Sequence, residues 1–259
     1  LNEGWNFVSN PYPYNVNMDV LIASNENIDP SVWVRTFDFS SRKYCWITRS
    51  TDLKMETGIE SISTVAPFQG IHVYAKAPTT LTFNPSALSN SVGTSLKSVQ
   101  TEIPATDELR LAVEGNEANS YIDEAVLVFR DGGSLDIIRG DAKKYNYGVT
   151  YSSIAVAKQS QSMTIAYLPD ATEMEELEIP LVVTKSANTT SLTIYASSIG
   201  GFDVRYDVML VDKKYGVSVN LREEDYEVTD VDDMEDRFVV VLRKVGAAPE
   251  ISTDIDREQ

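Results

Sequence analysis

The sequence has little of what most catalytic and metal sites are built from. Its 259 residues include one cysteine, Cys45, and one histidine, His72. A lone cysteine forms no intrachain disulfide, and a lone histidine cannot supply the several nitrogen or sulfur ligands of a zinc site. Phosphate-binding loops and the nucleophile-elbow motif are missing as well. We therefore expect a protein without enzyme activity, and no cofactor with the exception of a possible Ca²⁺.

Positive charge is also scarce. The chain has 22 Lys and Arg against 39 Asp and Glu, which gives a formal net charge of −17. Such a surface repels phosphate backbones, so we expect no nucleic-acid partner. It is compatible with neutral polymers, basic partners or divalent cations. No apolar run approaches the ~18 residues of a membrane-spanning helix, and no transmembrane segment is expected.

Helical periodicity is almost absent, and only residues 52–62 offer a weak helix-or-loop candidate. Short stretches with the alternation of β-strands recur instead, separated by turn residues. This pattern predicts an all-β protein with little helix, built as two β-sandwich, jelly-roll-like modules. In the second half, "EAVLVFR" is apolar on both faces, as expected of a central strand. Pro180 suggests an edge position or a bulge.

A change in composition suggests where the modules divide. Residues 84–107 are rich in Ser, Thr, Asn and Pro and poor in aromatic residues. We predict an N-terminal β module at residues 1–90, a linker at 91–106, a C-terminal β-sandwich module at 107–246, and an acidic tail at 247–259.

Aromatic side chains are the first candidates for ligand binding, because sugars stack on exposed rings that have polar neighbours. The candidates are Trp5, Tyr12, Tyr14, Trp33 and Trp46. The alternative, which we favour, is a small β core filled by large rings. Exposure distinguishes the two, since rings in an open groove favour binding and rings between sheets do not.

An acidic run, "DVDDMED", is the second candidate. Calcium prefers several oxygen ligands, and Asp230, Asp232, Asp233 and Asp236 could offer them. The run lacks the glycine and the terminal glutamate of an EF-hand loop, so a solvated turn is the favoured reading. A hydrolase with two facing carboxylates is a third functional alternative, and nothing in the sequence singles out a pair.

Several motifs together resemble exported and cell-surface proteins of the Bacteroidetes. "GWNFVSNPYP" resembles the G-W-N-x-x-x-N-P-Y-P stretch that begins a β module in those proteins, and "APFQGIHVYAKAPTTLTF" resembles the end of that module. "LRLAVEG", "YIDEAVLVFRDGG", "IIRGDAKKY" and "VMLVDKKYGVSVNLREEDYEV" resemble the module that follows. The resemblance covers the chain to about residue 244. It implies β-sandwich modules, export and an adhesive or scaffolding role, and it implies no catalytic residues.

The sequence therefore predicts a non-enzymatic, secreted or cell-surface β-sandwich protein for adhesion, scaffolding or interaction. A carbohydrate-binding module is the alternative. We expect a monomer whose partner is an extracellular protein or glycan. The chain begins at Leu1 and shows no signal peptide, and we expect it to be exported. Within "GWNFVSNPYP" we expect a strand that ends at a rigid corner, where Asn10 hydrogen-bonds the turning backbone.

Overall fold

The computed structural model describes residues 1–58, 62–89, 107–170, 174–199, 202 and 205–245, and it confirms the predicted all-β fold. The strands up to residue 89 are β1 Gly4–Ser9, β2 Asn15–Asn17, β3 Ser31–Asp38, β4 Lys43–Ser50, β5 Met55–Glu56, β6 Thr64–Val65, β7 Gly70–Ala75 and β8 Leu88–Ser89. A helix, α1, spans Met18–Ala23, and a 3₁₀ turn spans Pro85–Ala87.

From residue 107 the strands are β9 Asp107–Gly115, β10 Asp123–Phe129, β11 Ala142–Lys143, β12 Ser153–Lys158, β13 Gln161–Leu168, β14 Glu176–Thr184, β15 Leu192–Ser198, β16 Tyr206–Asp212, β17 Val217–Asn220, β18 Tyr226–Val228 and β19 Phe238–Lys244. No described strand of this C-terminal part shares a sheet with the N-terminal part. The predicted linker at 91–106 and the tail at 247–259 lie outside the described residues.

The N-terminal part consists of two small sheets. A five-stranded sheet has the order β1-β7-β3-β4-β5, and a three-stranded sheet has the order β6-β2-β8. Helix α1 and the small sheet cover one face of the larger sheet, where the alternate residues Val32, Val34, Ile71 and Val73 form the buried core. The opposite face of the larger sheet is left for other contacts.

The helix falls at a different place from the weak candidate in the sequence. Residues 52–62 form turns and the two-residue strand β5 where they are described. Helix α1 begins instead after Asn17, whose side chain accepts a hydrogen bond from the Val20 amide and so caps the first turn. With six residues, α1 is too short to produce a helical period in the sequence.

The predicted corner after the first strand is confirmed. Strand β1 ends at Ser9, and the buried side chain of Asn10 then holds the turn. Its amide donates to the carbonyl of Tyr14 at 2.7 Å and its oxygen accepts from the amide of Tyr12 at 3.0 Å. The same amide reaches the Val65 carbonyl at 3.2 Å, which ties the corner to β6. Because Pro11 and Pro13 have no backbone N–H to donate to a neighbouring strand, the hydrogen bonds of the Asn10 side chain hold the chain here instead.

The C-terminal part is one 11-stranded sheet in the order β17-β16-β19-β14-β12-β13-β10-β9-β15-β18, with β11 paired to β13. The sheet curls around a single apolar core to which strands from both of its ends contribute. A buried ion pair between Asp212 on β16 and Arg237 stabilises this arrangement. Tyr226 on β18 donates its hydroxyl proton to Asp212 at 2.9 Å, so the two ends of the sheet meet.

Strand β10 lies in the interior of this sheet, and the apolar side chains on both of its faces are buried. Leu127 and Phe129 enter the main core, whereas Val126 and Val128 point to the other side. There they pack against Leu53 and Met55 of the N-terminal part. The predicted central strand is confirmed, and its second apolar face is buried because the two parts of the chain pack against each other.

Pro180 lies on β14, which is an interior strand of the sheet with β19 on one side and β12 on the other. Strand β14 pairs with β19 from Glu176 to Leu181 and with β12 only from Leu181 to Thr184. Pro180 therefore falls where β19 is the only partner, and its missing N–H interrupts no ladder with β12.

Candidate functional site

An aromatic surface covers the face of the five-stranded sheet that points away from its core. Strand alternation places Trp5 and Phe7 of β1 opposite Tyr74 and His72 of β7, and Trp33 of β3 opposite His72. Trp46 of β4 lies opposite Arg35 on the same face. We call this surface, with Trp5, Phe7, Trp33, Trp46, His72 and Tyr74, the aromatic face.

A tyrosine from the C-terminal part inserts into the aromatic face. The ring centroid of Tyr145 lies 4.4 Å from Trp5, 4.5 Å from Trp46 and 5.0 Å from His72. Edge-to-face and tilted ring contacts of this kind add about 0.5–1.5 kcal/mol per pair beyond the area that they bury. The neighbouring Lys143 places its ammonium 3.6 Å from the centre of the Tyr74 ring, which adds a cation–π contact.

The two inner tryptophans also hydrogen-bond across the boundary. The indole N–H of Trp33 donates to the Lys143 carbonyl at 2.8 Å, and that of Trp46 donates to the Tyr147 carbonyl at 3.1 Å. Trp33 is fully buried and Trp46 is 8% exposed. Neither ring offers a free face to a ligand, so these two candidates join the parts of the chain instead of forming a sugar platform.

Polar contacts around the aromatic face strengthen the same boundary. The Ser50 hydroxyl donates to the Gly140 carbonyl at 2.7 Å, and the amide of Gly58 donates to the Glu124 carboxylate at 3.0 Å. Directional bonds on several sides, together with buried apolar and aromatic contacts, fix the orientation of one part relative to the other.

Glu117 carries a further ion pair across the boundary, 3.1 Å from the ammonium of Lys43. Burial on its own would raise the pKa of Glu117, but hydrogen bonds from the Thr189 hydroxyl, Lys43 and the Ser186 hydroxyl hold the carboxylate ionised. The net effect lowers the pKa of Glu117 from 4.5 to about 2. This ion pair is therefore intact at neutral pH.

The remaining aromatic candidates differ in exposure. Trp5 is 38% exposed, which is more than the core position we expected, although it keeps an edge contact with Trp33 at 4.5 Å. Tyr12 is half-buried against the N-terminal core and lies 6.2 Å from the Phe83 ring, so it contributes to packing. Tyr14, at the end of the corner, is 54% exposed.

Three rings at the border of the aromatic face are open to solvent. Phe7 is 67% exposed and Tyr147 is 78% exposed, and together with Trp5 we call them the exposed rim. His72 lies 4.9 Å from Phe7, and Tyr145 lies 6.4 Å from Tyr147, so half-buried rings connect the rim. Burial, together with the charge of Arg35, lowers the pKa of His72 and favours its neutral form at pH 7.

The acidic run binds cations of the protein itself. Asp230 accepts from Lys214 at 2.8 Å and from the Tyr215 hydroxyl at 2.5 Å, which lowers its pKa. Asp232, Asp233 and Asp236 line an open cavity of about 690 Å³. Across the described part of the chain, no three His, Cys, Asp or Glu side chains are grouped so as to hold a metal ion. Calcium binding stays a prediction.

Other buried acids serve as structural ion pairs. Lys158 and Asp141 are nearly inaccessible and 2.8 Å apart, and the same ammonium donates to the Tyr167 carbonyl at 2.7 Å. Asp123 pairs with Lys144 at 2.5 Å, while burial raises its pKa. Each of these buried charges has a partner of opposite charge, which offsets part of the free energy lost when the charge leaves water.

Sequence reasoning missed Tyr145 and Tyr147, which complete the aromatic face. The signal was the alternation in "KKYNYG", where two tyrosines and a lysine point to one side of an extended segment. No sequence argument placed that segment against the N-terminal sheet, because the contact joins residues about 100 positions apart, 101 for Trp46 and Tyr147.

Comparison with known proteins adds no relative. No protein-family model matches the chain, and neither the curated proteins nor the solved structures provide a significant match. Among the described residues the longest helix has six residues, well below the length that a membrane-spanning helix requires.

Proposed function

We propose that the chain is a non-enzymatic β-sandwich protein of the cell surface or the secreted fraction, and that it acts in adhesion, scaffolding or interaction. The observation that supports this most is the exposed rim, three large rings beside a firmly joined boundary. Clustered exposed apolar rings mark interaction surfaces more often than scattered ones do. The partner is an extracellular protein or glycan, and the chain works as an exported monomer.

Rigidity at the boundary favours this role. A scaffold or adhesin must present its contact groups in a fixed arrangement, because ordering them on binding costs free energy. Tyr145, the indole bonds of Trp33 and Trp46, and the Lys43–Glu117 pair meet that need. The resemblance of "GWNFVSNPYP" to exported Bacteroidetes modules points in the same direction.

A binding and turnover screen tests the proposal. Purified protein would be applied to arrays of extracellular-matrix proteins and polysaccharides, with and without millimolar Ca²⁺, and incubated in parallel with a panel of glycosidase substrates. We expect saturable binding to at least one class and no turnover. Turnover of any substrate, or no binding to either array, would overturn the proposal.

Carbohydrate binding is the second candidate function, and the exposure of Trp5 favours it. Trp5 is the one tryptophan of the three with a substantial open surface, and an indole face is a good stacking surface for a sugar ring. Trp5→Ala should weaken glycan binding, whereas Phe39→Ala, at an equally aromatic but separate exposed position, should not.

A further inference from the structure

A polar pocket lies in the C-terminal part, between residues 146–153 and the turn that follows β14. It has a volume of about 450 Å³, within the range of natural small-ligand sites. Most of its lining residues have hydrogen-bonding side chains, and Val149 and Ala187 are the two that do not. The polar ones include Asn146, Thr150, Ser153, Thr184, Lys185 and Asn188.

The outer groups of the pocket are free to bind. Within the described residues, the side chains of Asn146, Thr150 and Asn188 are exposed and have no hydrogen-bond partner in the protein. Two amides and a hydroxyl thus offer both donors and acceptors at the mouth of one pocket. This mixed set matches a polyhydroxylated ligand, whose hydroxyl groups also donate and accept.

The floor of the pocket is held in place by an internal network. The Ser153 and Thr184 hydroxyls lie 2.7 Å apart, and the Ser186 amide donates to the buried Ser152 hydroxyl at 3.1 Å. The Ser186 and Thr189 hydroxyls lie 2.8 Å apart and fix the turn that carries Asn188. A pre-formed site avoids part of the ordering cost of binding.

The charges in and around the pocket indicate that its ligand is uncharged. The lining includes one cation, Lys185, and no carboxylate. Lys185 lies 3.6 Å from Asp232, so its charge is partly balanced, and the net charge of −17 repels polyanions. A cationic ligand finds no carboxylate in the lining to pair with.

We propose that this pocket, which we call the Asn146–Asn188 pocket, is a binding subsite for a sugar residue of a neutral polysaccharide. The proposal deepens the interaction function above and rests on it. It also moves the glycan contact away from the buried Trp33 and Trp46 and towards the boundary segment that follows Lys144.

The test uses the whole protein and neutral polysaccharides, namely mannan, xylan, β-glucan and galactan, with heparin and alginate as anionic comparisons. Asn146→Ala and Asn188→Ala remove the two amides of the pocket. Asn27→Ala is the matched control, since Asn27 is an exposed asparagine outside the pocket lining. All three positions are exposed, so each variant should fold, which circular dichroism checks.

We expect binding to a neutral polymer, and about a tenfold rise in Kd for each pocket variant with no change for Asn27→Ala. The side-chain amide signals of Asn146 and Asn188 should shift during an NMR titration with the bound oligosaccharide. Equal affinity in all variants, or binding only to anionic polymers, would overturn the pocket assignment. Binding only to matrix proteins would overturn it and leave the proposed function standing, whereas no binding at all would remove both.

Discussion

Replacing Trp33 with phenylalanine tests the role of the buried rings. Trp33 has no exposed surface, and its indole N–H donates to the Lys143 carbonyl at 2.8 Å. Phenylalanine keeps one aromatic ring but has no N–H, so that carbonyl loses its partner and a cavity opens where the second ring stood. An unsatisfied buried carbonyl costs about 1–3 kcal/mol. With the cavity added, we expect the free energy of unfolding to fall by about 2–4 kcal/mol.

Urea denaturation followed by circular dichroism measures this change, and a thermal scan should show a lower Tm by about 2–4 °C per kcal/mol. Trp5→Phe is the matched control, because Trp5 is 38% exposed and its indole N–H has no partner among the described residues. The control should lose clearly less stability. A loss below about 0.5 kcal/mol for Trp33→Phe, typical of a surface site, would refute the reasoning.

Three other substitutions probe the charges and the close packing. Glu117→Gln should lower the free energy of unfolding at pH 7. This loss should shrink as the pH falls from 4.5 towards about 2, because the stabilisation from the lowered pKa of Glu117 is complete above 4.5 and disappears as the folded protein takes up the proton. An equally large loss at pH 3 would contradict this. Arg237→Met leaves the buried Asp212 without its cationic partner and should cost about 3–5 kcal/mol in urea denaturation, and a neutral result would show that the pair does not hold the sheet ends together. Gly133→Ala would place a Cβ 1.9 Å from the Leu168 carbonyl oxygen, so we expect a lower Tm, and wild-type stability would contradict the close approach.

Local patterns predicted the elements well. The sequence predicted a strand in "GWNFVSNPYP" that ends at a corner formed with Asn10, and β1 spans residues 4–9 with Asn10 holding the turn. The apolar character of β10 on both faces also predicted a central strand. These features depend on neighbours in sequence, where periodicity and turn chemistry act directly.

Long-range contacts escaped prediction for a physical reason. Exposure of a ring depends on what packs over it, and the cover of Trp46 comes from Tyr145 and the Tyr147 carbonyl, about 100 residues later in the chain. A tryptophan on a strand looks the same in sequence whether it faces water or another sheet. The Asn146–Asn188 pocket arises in the same way, from loops separated by 42 positions, 146 and 188.

Trp33 and Trp46 are buried and join the two parts, whereas Trp5 keeps an open surface. The chain has three tryptophans, so a ¹⁵N-labelled sample gives three indole N–H signals, and their hydrogen exchange can be measured singly. We predict slow exchange for Trp33 and Trp46, whose protons are bonded to the carbonyls of Lys143 and Tyr147, and fast exchange for Trp5. Fast exchange of all three signals in the folded protein would contradict the account.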